Sequence, residues 1–203
     1  NIGIGSFALE DATKASGSIA IGYGAARQLT VAMGNVAIGS GSMGVGVVTG
    51  TAGNGYSHNV AIGTRALEDL TTGTDNIAIG NRTAGNLTTG TYNIAFGRHA
   101  LSTDVVTGTD NIALGREALF AANDANYNVA IGYGSGRAMT DNEYNVAIGY
   151  NALLSSINDA DKNIAIGFEA MSSADVSAND NIAIGSNALD NLTSGAENIG
   201  IGQ

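Results

Sequence analysis

Asn76-Ile77-Ala78-Ile79-Gly80 is one phrase written twelve times along the chain. With conservative variation it begins at Asn1, Ser18, Asn35, Asn59, Asn76, Asn93, Asn111, Asn128, Asn145, Asn163, Asn181 and Asn198. Seven of the eleven intervals are seventeen long, three are eighteen, and one, from Asn35 to Asn59, is twenty-four. A short fixed period over a whole chain marks a solenoid, in which each repeat stacks on its neighbours because it cannot bury an apolar face alone. Within the phrase, position 2 is always Ile or Val, and position 4 is Ile except at Phe96 and Leu114. Large apolar residues alternating with small ones over a β-branched run give a strand signal. The fold class that follows is all-β: a parallel β-solenoid of twelve coils.

Positions 2 and 4 share one face of the strand, and positions 1, 3 and 5 share the other. The bulky face is expected to point into the coil, which makes Ile62, Ile79, Phe96 and Leu114 core residues. Position 3 is Ala ten times and Gly twice, at Gly3 and Gly200. On that reading position 3 points outward, where a solvated face would carry Thr, Lys, Glu or Ser. A stripe of small residues there implies close approach by another backbone. Ala61, Ala78, Ala95, Ala113 and Ala130 are therefore expected to line an interface between copies of the chain, the alternative being that position 3 faces a narrow second core inside a single chain.

The rest of each coil extends this pattern. Position 5 is Gly in all twelve copies, so a crowded α-carbon or a positive φ is expected there. Position 1 is Asn in eleven of twelve, which predicts a continuous amide ladder fixing the register of the stack. Positions 6 and 7 vary and are often polar, as an exposed corner would be. Position 8 is small throughout, and position 9 is Leu or Met except at Ala26, Ala84 and Gly136. In those three coils a large residue follows three places on, at Leu29, Leu87 and Met139, as volume compensation within a packed layer requires. Turn chemistry such as Thr71-Thr72-Gly73-Thr74-Asp75 closes the coil. Runs such as Ala66-Leu67-Glu68-Asp69-Leu70 are too short to persist as helices in water, although one helical turn per coil is compatible with them.

The unbroken period makes residues 1–203 a single repeat domain. One coil is irregular: the stretch from Asn35 to His58 exceeds the commonest coil by seven positions. Stacking register is kept most simply if the surplus loops outward, so residues 52–58 are expected to protrude. Tyr56 and His58 there are the residues least constrained by the repeat, and they are the candidate lateral contact.

Composition narrows the function classes. The net charge of −10 disfavours nucleic acid and anionic membranes as partners. No apolar run is long enough to span a bilayer, so no membrane insertion is expected. There is no Cys and no disulfide framework. Thirty Gly and abundant Ala suit thin, closely stacked layers. Both ends fall in mid-repeat without a capping segment, as expected of a window in a longer protein.

The pattern Asn-[Ile/Val]-Ala-Ile-Gly-x-x-Ala-Leu…Thr-Gly-x-x-Asn resembles the repeats of phage tail-fibre-like proteins and related bacterial surface fibres. It is also similar to the shorter Val-Ala-Ile-Gly repeat in the heads of trimeric autotransporter adhesins. That resemblance implies a left-handed β-roll or a triangular β-helix, a homotrimeric fibre, and an extracellular place on a virion or bacterial cell surface. It implies cell-surface glycan or receptor contact without identifying either. The coil of this chain is longer than that of the adhesin heads, which leaves the cross-section open.

No catalytic, cofactor or metal residues emerge. Gly39-Ser40-Gly41-Ser42-Met43-Gly44 fits a nucleotide-binding fingerprint, but Gly39 is the position 5 glycine and no helix pattern follows. Glu10-Asp11 and Glu68-Asp69 occupy equivalent places in the repeat, so register explains them. Asn158-Asp159-Ala160-Asp161 reads as a turn rather than a calcium loop. Tyr92, Tyr127 and Tyr144 precede their coils' Asn, and Tyr133 and Tyr150 occupy position 6. They are expected to stack between layers, with sugar stacking as the alternative. A rank of Thr at 71, 74, 88, 91, 107 and 109 raises ice binding, but it does not continue. The function expected is a non-enzymatic shaft or adhesive segment used in attachment. The alternatives are a glycan-degrading fibre enzyme, which would need a carboxylate or Tyr cluster breaking the repeat, and a monomeric ice-binding or matrix solenoid.

Overall fold

The computed structural model describes residues 1–44, 56–103, 106–155, 160–173, 179–192 and 194–203. Among them, twelve short strands run from β1 (Ile2–Ile4) to β12 (Ile199–Ile201), each covering positions 2 to 4 of one phrase. They form one parallel sheet in strict sequence order. The register is one to one: Ile77, Ala78 and Ile79 of β5 (Ile77–Ile79) pair with Ile94, Ala95 and Phe96 of β6 (Ile94–Phe96). Those pair in turn with Ile112, Ala113 and Leu114 of β7 (Ile112–Leu114). The chain is thus a parallel β-solenoid, as the period predicts.

Opposite the sheet stands a wall of turns, with no helix among the described residues. Positions 7 and 9 take left-handed conformations, for example Arg65 (φ 57°) with Leu67 (φ 49°) and His99 (φ 57°) with Leu101 (φ 51°). A left-handed residue costs about 1–2 kcal/mol when it carries a Cβ. The return is a second hydrogen-bonded ladder. The position 7 amide donates back to the preceding coil (Arg82 N to Thr64 O, 2.9 Å), and the position 9 amide donates forward to the next (Leu67 N to Thr83 O, 3.1 Å). Helical backbone would satisfy those amides within a coil and leave neighbouring coils unlinked.

The facing of the strand is the reverse of the expectation. Ala61, Ala78, Ala113 and Ala130 are 0% exposed and Ala95 is 1% exposed, all inside the chain's own core. They are not an interface between chains. Ile62, Ile79 and Leu114 are only partly buried, and Phe96 is 55% exposed. Not one side chain at position 2 or position 4 of any strand is buried. The physical reason is the narrow coil. A Cβ placed on Gly3 would stand 3.5 Å from Leu9 Cδ1, and one on Gly200 would meet Leu189 Cγ at 2.6 Å. Position 3 therefore faces the position 9 leucine across the interior, where Ala fits and Ile does not. The core is built from Ala at positions 3 and 8 and from Leu or Met at positions 9 and 12, including Leu67, Leu70, Leu101, Leu119 and Leu153.

Volume compensation holds. Leu29, Leu87 and Met139 are fully buried where position 9 is Ala or Gly. A Cβ on Gly136 would lie 3.1 Å from Met139 Cε, in the space Leu occupies in other coils. The position 5 glycines are also explained. At Gly115 φ is +143°, and a Cβ would stand 2.7 Å from Gly132 C in the next coil, so any side chain would force the layers apart.

The asparagine ladder is continuous, and it is buried from Ser18 to Asn181. Asn76 N and Nδ2 donate to Asn59 Oδ1 at 2.9 and 3.1 Å, and Nδ2 also donates to Gly90 O at 2.8 Å. The same set recurs at Asn93, Asn111 and Asn128. Ser18, the one substitution, still accepts from Asn35 N at 3.2 Å.

In the irregular coil, residues 52–55 of the expected protrusion lie outside the described residues. Its last three do not protrude. Tyr56 bridges Met33, and Ser57 is buried with its Oγ donating to Asn35 Oδ1 at 2.9 Å. His58 N donates to Met33 O at 3.3 Å. These residues restore the ladder before the next phrase begins.

Candidate functional site

The facing found in the fold leaves the outer sheet face as an apolar strip. Its two rows are the Ile, Val, Phe and Leu residues of positions 2 and 4, repeated on all twelve strands. At a parallel-strand spacing of about 4.8 Å the strip is roughly 55 Å long, and the extended strand makes it about 10 Å wide. That is on the order of 550 Å² before side-chain relief, near the top of what a lone soluble protein leaves exposed in one patch. Ile77 (39%), Ile94 (40%) and Phe96 (55%) show that exposure in mid-stack, away from the unstacked ends.

Two rows of side chains border the strip. One is the residue before each Asn, held left-handed: Asp75, Tyr92, Asp110, Tyr127, Tyr144, Lys162 and Asp180. Tyr127 and Tyr144 stack at 4.8 Å with planes 4° apart. The other row is position 6, where Tyr133, Tyr150 and Phe168 stack at 5.2 Å intervals. Tyr127, Tyr144, Tyr133 and Tyr150 thus stack between layers, as the sequence reading preferred. Arg116 extends this column, its guanidinium 5.0 Å from the Tyr133 ring centroid.

All six arginines of the chain lie at positions 6, 7 or 10, on this one corner. Most are engaged. Arg27 pairs with Glu10 and lies over Phe7. Arg65 meets Glu68 at 3.4 Å, and Arg116 and Arg137 share Glu117 at 3.4 and 3.2 Å. Arg82 and Arg98 form no ion pair among the described residues. They line an open depression of about 430 Å³ with Thr64, Arg65, Asn81 and His99. Burial and then the Arg98 and Arg82 guanidiniums hold the His99 imidazole below its ordinary pKa of 6.5, with Glu117 opposing and Arg116 adding a smaller push.

The sequence candidates fall as follows. Tyr56 and His58 stack at 5.3 Å, and His58 Nδ1 lies 3.5 Å from Asp75 Oδ1, so the two are together and exposed on the strip's edge. Thr71, Thr88 and Thr107 turn their hydroxyls onto carbonyls of the next coil, at 2.9, 3.3 and 3.2 Å. Those three serve the stack. Asn158 and Asp159 lie outside the described residues, and the Asp161 carboxylate accepts from Glu143 N at 2.8 Å. Among the described residues no three His, Cys, Asp or Glu side chains group as metal ligands. No helix among them is long and apolar enough to cross a membrane. Sequence reasoning missed the arginine corner. Tabulating charge by coil position would have shown it, because the signal is positional and vanishes in the net charge.

No family model, curated protein or solved structure matches this chain.

Proposed function

We propose that this chain is a structural shaft segment of a self-associating extracellular fibre, with three copies packed along their apolar strips. The observation that carries the reading is the strip itself: two large apolar side chains on every strand, in strict register, none buried by the chain's own fold. Another copy is the partner that fits. A ladder of large apolar side chains repeating every ~4.8 Å is matched along its length by a surface of the same rise. The strip with its flanking aromatic columns approaches the ~800 Å² per partner of a stable interface. Three chains around one axis turn all three strips inward, in keeping with the resemblance to trimeric surface fibres. The interface proposed is thus the isoleucine strip in place of the alanine stripe.

The work done is mechanical and non-catalytic: a stiff spacer on a virion or bacterial cell surface that serves attachment to a host or surface. Two ladders of inter-coil hydrogen bonds and a buried amide column oppose bending and sliding of the layers. The ice-binding alternative loses its support from the threonine rank, since three of its hydroxyls are spent within the stack.

The test is solution mass. Three times the 20.3 kDa chain is expected, concentration-independent in the micromolar range. Replacing Ile79, Ile94, Ile112 and Val129 together by Thr should yield single chains that keep the β spectrum. A parent protein that is monomeric at all concentrations would refute the reading.

A further inference from the structure

We propose that the depression between coils four, five and six is a lateral binding site for a sulfated or phosphorylated saccharide, gripped by Arg82 and Arg98. The inference does not rest on the self-association reading. It begins from a charge anomaly. The chain carries −10 overall, yet all six of its arginines are gathered on one corner. Four of them are neutralised by a carboxylate: Arg27 by Glu10, Arg65 by Glu68, and Arg116 and Arg137 by Glu117. Arg82 and Arg98 stand in successive coils of the same depression and have no carboxylate of their own among the described residues. Glu117, whose charge reaches His99 in the same depression, is held by two other guanidiniums. Two neighbouring unpaired guanidiniums form an electropositive spot in a negative field, and planar forks are suited to oxyanions.

The remaining lining favours a sugar as the carrier of the anion. Thr64 and Asn81 are exposed hydroxyl and amide groups, suited to sugar hydroxyls. The lining contains no Phe, Tyr or Trp ring, so single-stranded nucleic acid has no broad stacking platform. The cationic spot is confined to three coils, with Glu68 beside it on Arg65, and the chain around it is acidic overall, which opposes a long polyanion such as duplex DNA. A volume of about 430 Å³ takes a sugar unit together with its anionic group. His99 joins the wall at position 7. As a neutral imidazole it donates one hydrogen bond and accepts another, and an anion seated beside it favours its protonated form.

The test is calorimetric titration of the intact protein with a heparin-derived sulfated oligosaccharide, free sulfate, free phosphate, a neutral dextran oligosaccharide and single-stranded DNA. The sulfated oligosaccharide is expected to bind more tightly than either free ion. Its affinity should fall as salt rises. It should weaken about tenfold or more in the double variant R82Q/R98Q. The exposed control variant R27Q should bind as the parent does. Equal affinity for free sulfate would overturn the saccharide assignment, as would DNA binding of equal strength. No binding by the parent would overturn the site. A change in particle mass in R82Q/R98Q, with sulfated-saccharide affinity retained, would also overturn it by showing the arginines to be seats for carboxylates of another copy, such as Asp75 or Asp110.

Discussion

Ala113 is sealed inside the chain, while its neighbours on the same strand, Ile112 and Leu114, remain partly open to solvent. Three consecutive residues thus separate two different demands. The inner face must admit a leucine from the opposite wall across a narrow coil, so it is small. The outer face carries the larger side chains because nothing within the chain limits their size. Size alone is therefore a poor guide to burial in a thin solenoid. What decides the facing is how much space the opposing wall leaves.

The sharpest way to break that comparison is to exchange the demands at one strand. Ala113→Asp puts an unpaired carboxylate where no water reaches, at a cost of several kcal/mol. Thermal melting should drop steeply, with loss of β signal from adjoining coils. An Ala113→Asp protein that melts with the parent would return position 3 to the surface. Gly115→Ala comes next. Its methyl group would press on the Gly132 backbone at a φ of +143°. The expected loss is on the order of 2–3 kcal/mol, read from the urea midpoint.

The amide column lies between the two faces in its demands, being buried yet polar. Asn111 Oδ1 accepts from Asn128 N at 3.1 Å and from Asn128 Nδ2 at 3.2 Å. Asn111→Ala removes the acceptor from both donors and should cost about 1–3 kcal/mol. Asn111→Ser should recover part of that loss, because Ser18 already serves Asn35 N in this way. Equal stabilities for the Ala and Ser variants would show that the column is not held by its acceptor. On the outer face, Leu114→Thr should move the stability of a separated chain by no more than about 0.5 kcal/mol, as surface changes generally do. Its effect belongs in the particle mass instead.

The architecture was legible because it is written as a period: twelve phrases give twelve strands with their order and register. The asparagine column and the position 5 glycines were legible for the same reason, since one residue type repeated in register has one explanation. The facing was not legible from alternation. A period of two distinguishes the faces but does not say which is inside. The deciding signal was the left-handed backbone at positions 7 and 9, which aims Leu67 or Leu101 at the sheet and has no signature in residues that resemble a helical run. The Gly at position 3 of the last strand was a weaker clue, since Leu189 crowds a Cβ at Gly200. The arginine corner went unread because Arg82 and Arg98 look like ordinary corner residues until their neighbours' partners are known.

The smallest effect expected belongs to His99, on the exposed corner. Its folded-state pKa is lowered, first by burial and then by Arg98 and Arg82. The folded chain therefore binds the proton less readily than the unfolded chain, whose imidazole titrates near 6.5. The sign follows from linkage: stability from this group is fully present above that value and is lost as pH falls below it. Melting curves from about pH 7.5 downward should show a slight decline beginning near pH 6.5 that is absent in His99→Gln. A bound oxyanion in the adjacent depression should raise the imidazole pKa and reduce the decline. If His99→Gln and the parent fall together over that window, neither burial nor the arginine field lowers the imidazole pKa in the folded chain. The His99 imidazole would then titrate alike in the folded and unfolded chains, in contrast to the column of amides behind it, which only the folded chain assembles.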